Sequence, residues 1–231
     1  MVVCSDINKS GTGFLISADG HIATNNHVVS QVLPQQNGTI INSYSADIVV
    51  VIDGVSYPAS LASDPAEDRP FVFDYAILKV DGLASSSHLE LGDPTMARLG
   101  DEVVCLGFPL DFNTIVATNG IVSAVLTRPS HRNTLFSMKT IVSNVLIQFG
   151  NSGGPMIHRA SGKVIGMNTL GHEISDVLYQ RLRLWQKLPS LATIPALPDL
   201  IEYTLKYTYI GFNHAVSVEH VRADTNWPAP L

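Results

Sequence analysis

The segment Gln148–Ile157, QFGNSGGPMI, sets one serine, Ser152, among three glycines and a proline between two apolar runs. Glycine is costly to order and is kept where the backbone needs φ > 0 or something approaches closely. Two readings follow: a tight turn joining two strands, or a nucleophile on a sharp turn with backbone N–H groups aimed at a reacting carbonyl. A serine hydroxyl is a weak nucleophile, so the second reading needs a His to take its proton and a carboxylate to orient that His. Of the eight histidines, His27 has the context: in HIATNNHVV a strand ends in small polar residues just before it. For the carboxylate, Asp74 in FDYAILKV immediately precedes an apolar strand-like run, which would fix a charge at the edge of a core. Asp64 and Asp68 are the alternatives, and neither stands directly ahead of a strand. The candidate catalytic set is His27, Asp74 and Ser152.

Other chemistry has less support. HEISD, His172–Asp176, only half matches the zinc motif H-E-x-x-H, and there is no C-x-x-C pair or Cys/His cluster, so no metal and no cofactor is expected. Cys4 and Cys105 lie in strand-like apolar runs and read as buried free thiols rather than a disulfide. A net charge of −6 without a basic stripe argues against nucleic acid as a partner. RLRLWQK, Arg181–Lys187, reads as the solvated face of a helix. No run is long and apolar enough to span a bilayer, and the start lacks the parts of a signal peptide. The compartment is left unknown: cytoplasmic as the chain stands, unless an upstream segment is missing.

The elements that must position the three residues are short strands. GTGFLIS, HIATNNHVV, ADIVVVIDGVSYPASLAS and YAILKV precede the polar connector SSSHLELGDPTMARLGD. EVVCLGFPL, TIVATNGIVSAVL, TIVSNVLIQ, PMIHRASGKVIGMNTL and IGFNHAVSV follow it. Many short strands with turn signals between them argue for an all-β sandwich or barrel. Two similar sets suggest two barrels, residues 1–88 carrying His27 and Asp74 and residues 97–231 carrying Ser152, joined by 89–96. Between Gly171 and Tyr209 the period changes: Ile174, Val177, Leu178, Leu182, Trp185 and Leu188 follow helical spacing, which predicts a helical insertion in the second barrel.

With those motifs in view, the chain resembles trypsin-like (chymotrypsin-fold) serine proteases, and within them the HtrA/Deg family. SGTGFLISADGHIATNNHVV is similar to the family's strand pair ending in T-N-x-H-V-V, DYAILKV to its D-x-A-[IL]-L-K-[VI] segment, and GNSGGPMIHRASGKVIGMNT to its nucleophile segment. The resemblance implies two six-stranded antiparallel β-barrels, with His27 as base, Asp74 as orienting carboxylate and Ser152 as nucleophile. It also implies an oxyanion hole made by the N–H groups of Gly150 and Ser152, and a polypeptide substrate. The chain departs from the family in several places. With the sequence ending at Leu231, no PDZ domain is expected, and peptide-tail sensing is not carried over. The aromatic N-terminal segment that supports trimers in relatives is absent, which leaves the oligomeric state open. Asn144 stands where relatives commonly have Asp, and Asn213 and His214 read as two extra residues.

The S1 region would be walled by Leu146, Asn168, Thr169 and Leu170. Val145, Leu146 and Ile147 are apolar with no acidic residue at the pocket base, so an apolar P1 residue is expected rather than Lys or Arg. The insertion, about 171–209, occupies the place of a loop that helps wall S1. It reads either as a tolerated surface loop or as a lid. The rival to a serine endopeptidase is therefore a latent or catalytically silent regulatory module with a covered site. An ester hydrolase is a more distant alternative, because the same triad cleaves esters.

Overall fold

The computed structural model describes residues 1–35, 40–64, 68–84, 87–109, 112–130, 132–169 and 213–224. The first half contributes strands Val2–Cys4 (β1), Lys9–Gly11 (β2), Phe14–Leu15 (β3), His21–Thr24 (β4), Ser30–Pro34 (β5), Ile40–Tyr44 (β6), Ile48–Ile52 (β7), Val55–Leu61 (β8) and Ala76–Lys79 (β9). The β7–β8 hairpin shows how local sequence sets the geometry. Ile48 and Val50 point into the core while Val49 and Val51 are more exposed, the alternation of a half-buried strand. Asp53 and Gly54 close the hairpin with φ of +48° and +80°, the paired positive values that two-residue turns require.

Seven of these strands form one open antiparallel sheet in the order β2-β1-β7-β8-β9-β4-β3, and β5 and β6 pair only with each other. This corrects the expectation of two six-stranded barrels. The two edges of the sheet, β2 and β3, are consecutive parts of one segment, interrupted at Thr12–Gly13. Thr12 does not extend a ladder: its N–H donates to Ser152 O at 2.8 Å, and its carbonyl accepts from Thr24 Oγ1 at 2.7 Å. The N–H that would continue the edge is spent on the Ser152 loop of the other half, and the carbonyl on the end of β4.

The second half does close. Strands Glu102–Gly107 (β10), Val116–Pro129 (β11), Ser137–Ser143 (β12), Pro155–His158 (β13), Val164–Thr169 (β14) and Asn213–Ser217 (β15) form a barrel in the order β10-β11-β12-β15-β14-β13. A register shift between Val122 and Ala124 adds the local bend that the long β11 needs to curl around the barrel. Val103, Cys105, Val122, Ile141, Met156 and Ile165 fill the interior. Asn213 and His214, read above as extra residues, belong to β15 opposite Ser143 and Val142.

Helical structure among the described residues is limited to short pieces such as Asn26–Val29, Asp68–Val72 and Glu219–Arg222. The insertion predicted over 171–209, with HEISD and RLRLWQK, lies outside the described residues. Cys4 and Cys105 are both buried free thiols, and burial pushes the Cys105 thiol up to about 12.

The halves share a core. Phe14, Ile16, Phe73, Tyr75 and Ile77 from the first half pack with Met138, Val164, Met167 and Val216 from the barrel. Phe73 stacks on His220 with centroids 3.6 Å apart, and Tyr75 Oη donates to Asp224 Oδ2 at 2.9 Å. That seam runs directly beside Asp74.

Candidate active site

His27 lies within the helical turn Asn26–Val29 that follows β4, and Asp74 lies between the helical turn Asp68–Val72 and β9. Tyr75 N donates to Pro70 O at 3.0 Å, so the chain curls back after that turn, and Asp74 takes φ of +53°. Left-handed backbone is uncommon for a residue other than glycine, and Asp is among the types that tolerate it. The curl turns the Asp74 carboxylate toward His27. His27 Nδ1 lies 3.0 Å from Oδ1 and 2.9 Å from Oδ2, and the His27 backbone N–H donates to Oδ1 at 3.0 Å. An ionised carboxylate only accepts hydrogen bonds. Nδ1 must therefore carry the proton, which leaves Nε2 of the neutral ring as a base. Asn25 Nδ2 donates to Asp74 O at 2.9 Å and locks the two segments together.

Burial acts to raise the Asp74 carboxyl. The His27 charge and hydrogen bond and the nearby Arg132 guanidinium outweigh it, and bring the group down to about 2. Arg132 Nη2 is 3.6 Å from Asp74 Oδ1, and Thr169 Oγ1 donates to Oδ2 at 3.3 Å. Lys9 Nζ donates to His27 O at 2.9 Å and to Ser30 O at 2.5 Å, which fixes the far side of the His27 turn.

Ser152 reaches this place through the Thr12 break. Besides the Thr12 N–H bond to Ser152 O, Thr12 Oγ1 donates to Gly150 O at 2.6 Å and accepts from Phe108 N at 3.0 Å. Gly153 has φ of +83°, and a Cβ there would collide with Thr12 O, Thr24 Oγ1 and the Asn25 backbone N. Only a glycine lets the loop sit this tightly on the segment leading to His27. Gly150 has φ of +94°. Among the described residues, neither the Gly150 nor the Ser152 N–H takes an internal partner. The Ser152 hydroxyl and His27 Nε2 likewise make no hydrogen bond among them, to each other or elsewhere.

The other named residues are distributed as follows. Leu146 is half-exposed, and its carbonyl accepts from Thr118 Oγ1 at 3.1 Å. Asn168 is fully buried, and its backbone N–H donates to Gly154 O at 2.8 Å. Thr169 is on the Asp74 carboxylate, while Leu170 is outside the described residues. Asn144 Oδ1 accepts from Ile121 N at 2.8 Å, so this side chain is engaged with β11. Asp64 is exposed, and the Asp68 side chain is outside the described residues. Thr12, Lys9 and Arg132 were not singled out from sequence. For Thr12 a signal existed, because a threonine between two glycines marks a break in a strand.

The trypsin-like peptidase domain model matches residues 11–167, more than half of the chain, and the chain belongs to that family. Its relatives lie among HtrA/DegP proteases. It is 39% identical over 160 residues to a probable periplasmic serine endoprotease DegP-like of Bartonella henselae, an alignment covering 69% of this chain and 27% of that protein. It is 34% identical over 164 residues to serine protease HTRA1B of Danio rerio, covering 70% of this chain and 30% of that one. The chain thus spans less than a third of the length of these curated relatives. Among solved structures, the HtrA-type protease AlgW with a tripeptide superposes with a TM-score of 0.51 at 30% identity, covering 69% of this chain and 46% of that one. AlgW with a decapeptide gives 0.58 at 22% identity, covering 92% and 49%, which bears on the fold alone. The cytoplasmic expectation is overturned here, since the relatives from Bartonella henselae and Pseudomonas putida are named periplasmic. That expectation rested on the composition of the first residues, which carries no information about what precedes them. Among the described residues, no helix is long and apolar enough to cross a membrane.

Proposed function

We propose that the chain is the catalytic domain of a serine endopeptidase, with residues 1–88 supplying the base and its carboxylate and residues 97–231 the nucleophile. Ser152 attacks the scissile carbonyl as His27 Nε2 takes its proton. Asp74 holds the tautomer and stabilises the imidazolium, and His27 then protonates the leaving amine. The N–H groups of Gly150 and Ser152 receive the oxyanion; one such donor contributes about 10²–10³ in rate. The acyl-enzyme is then hydrolysed by water through the same groups in reverse order of proton transfer. The observation that carries this reading is the His27–Asp74 carboxylate pair with the Ser152 loop fastened beside it through Thr12.

The substrate is an unfolded or flexible polypeptide with an apolar P1 residue. Leu146 is half-exposed, and no carboxylate accompanies it in the run Val145–Ile147 to pair with Lys or Arg. Digestion of reduced casein, with products sequenced by mass spectrometry, tests this reading. Cleavage after Val, Ala and Leu is expected. Cuts confined to Arg and Lys would overturn the P1 assignment. Absence of any Ser152-dependent cut in casein or in an apolar peptide panel would overturn the activity. The silent-module alternative rests on the insertion, outside the described residues, and no observed contact favours it.

A further inference from the structure

Asp74 belongs to the first half of the chain, yet the only Arg within ion-pair distance of its carboxylate among the described residues comes from the second. Arg132 lies in the connection between β11 and β12, and both ends of that connection are fastened to the segment bearing Asp74. Ser130 Oγ donates to Val72 O at 2.6 Å and accepts from Arg132 N at 3.2 Å. Phe136 meets the edge of Phe73 with centroids 5.9 Å apart. The Arg132 guanidinium stacks over the Phe71 ring, 4.5 Å from its centroid, and its side chain is only 13% exposed. A planar cation held on an aromatic face has few alternative positions. The 3.6 Å approach of Nη2 to Asp74 Oδ1 is therefore built in by the stacking on Phe71 and the fastening at Ser130 and Phe136.

We propose that Arg132 is a positioning residue that helps hold the Asp74 carboxylate against His27 and, by its permanent charge, opposes protonation of the His27 ring. This rests on the reading of His27 as the base. Among the described residues, the charged and titratable groups around the pair are Asp74, Arg132, Lys9 and Tyr44. Asp74 favours the imidazolium, whereas Arg132 and the Lys9 ammonium on the His27 carbonyl oppose it. The Tyr44 phenol receives the Asn26 side chain at 2.8 Å and is itself under the influence of Arg132. Of the two cations, Arg132 is the one in contact with the carboxylate. A charge placed there keeps Asp74 ionised and oriented toward His27.

The test compares wild type with Arg132→Gln and Arg132→Lys. The pH dependence of fluorophosphonate labelling of Ser152 is followed by intact mass. In parallel, the His27 Hε1 resonance is followed by NMR, assigned by its loss in His27→Gln. Thermal melting confirms that each variant is folded. In Arg132→Gln both midpoints should move to higher pH by about 0.5–1 unit, while Arg132→Lys, which keeps the charge but loses the planar stack on Phe71, should move by less. Equal midpoints in all three proteins, or equal displacement in Gln and Lys, would reduce Arg132 to a packing contact and overturn the proposal. The NMR titration reads the Arg132 effect even if wild type is not labelled, and failure to label bears on the catalytic reading alone.

Discussion

Replacing Ser152 with alanine is expected to lower peptide hydrolysis by about 10⁶-fold while leaving the fold unchanged. The rate estimate follows from what the hydroxyl does: without it neither the proton transfer to His27 nor the acyl-enzyme exists. Only binding and the oxyanion donors remain, about 10³–10⁴ over water in such sites. The stability estimate follows from what holds the loop. Its anchors are the Ser152 carbonyl on Thr12 N, the Gly150 carbonyl on Thr12 Oγ1 and the Gly153 N–H on Asn168 O, and none of these is the Ser152 side chain. A melting temperature unchanged beside a lost rate, measured on casein and on an apolar-P1 peptide, is the expected pair of results. A variant retaining a tenth of the wild-type rate would remove Ser152 from the mechanism.

Asp74→Asn should cost about 10⁴ in kcat at neutral pH. Asn keeps the size of Asp and tolerates φ of +53°, so the backbone is not the cause. The loss comes from the amide. An NH₂ group facing His27 Nδ1 donates where the carboxylate accepted, so the neutral ring carries its proton on Nε2 and cannot receive one from Ser152. The substitution has a second signature at low pH. The Asp74 carboxyl is held at about 2 against an ordinary 3.8, so in the folded protein it releases its proton more readily than in the unfolded chain. The corresponding stability is present above the ordinary value and is lost as the pH falls from about 4 through about 2. Asn does not titrate. Urea unfolding of the two proteins from pH 6 to pH 2 should therefore show a smaller acid loss for Asp74→Asn, and equal losses would contradict the assignment of that low value to Asp74.

The parts of this site that were legible in the sequence are those fixed by local chemistry. A glycine-rich turn around one serine, a histidine after a strand and an aspartate ahead of an apolar run each have short-range reasons for their types, and the structure brings His27 and Asp74 into hydrogen-bond contact. The strand content was legible for the same reason, since Ile48–Leu61 alternates and turns at Asp53–Gly54. Closure was not. Whether β2 and β3 join a ladder depends on Thr12 bonding to Ser152, a partner 140 positions away in sequence. Two strands of the first half, Ser30–Pro34 and Ile40–Tyr44, fall where the motifs gave out, and they pair with each other rather than with the sheet. Arg132 was invisible because its role comes from a turn of the second half landing on Phe71–Asp74. Thr169, assigned from sequence to the pocket wall, is hydrogen-bonded to the Asp74 carboxylate for a similar reason: β14 delivers its end to the seam between the halves.

The proposed mechanism requires Ser152 to be an activated nucleophile facing a formed oxyanion site. Incubation with a fluorophosphonate, followed by intact mass and peptide mapping, tests it without presuming any peptide sequence. A single adduct on Ser152 is expected in the wild-type protein and none in Ser152→Ala. A folded wild-type protein that takes up no label, or takes it elsewhere, would contradict it.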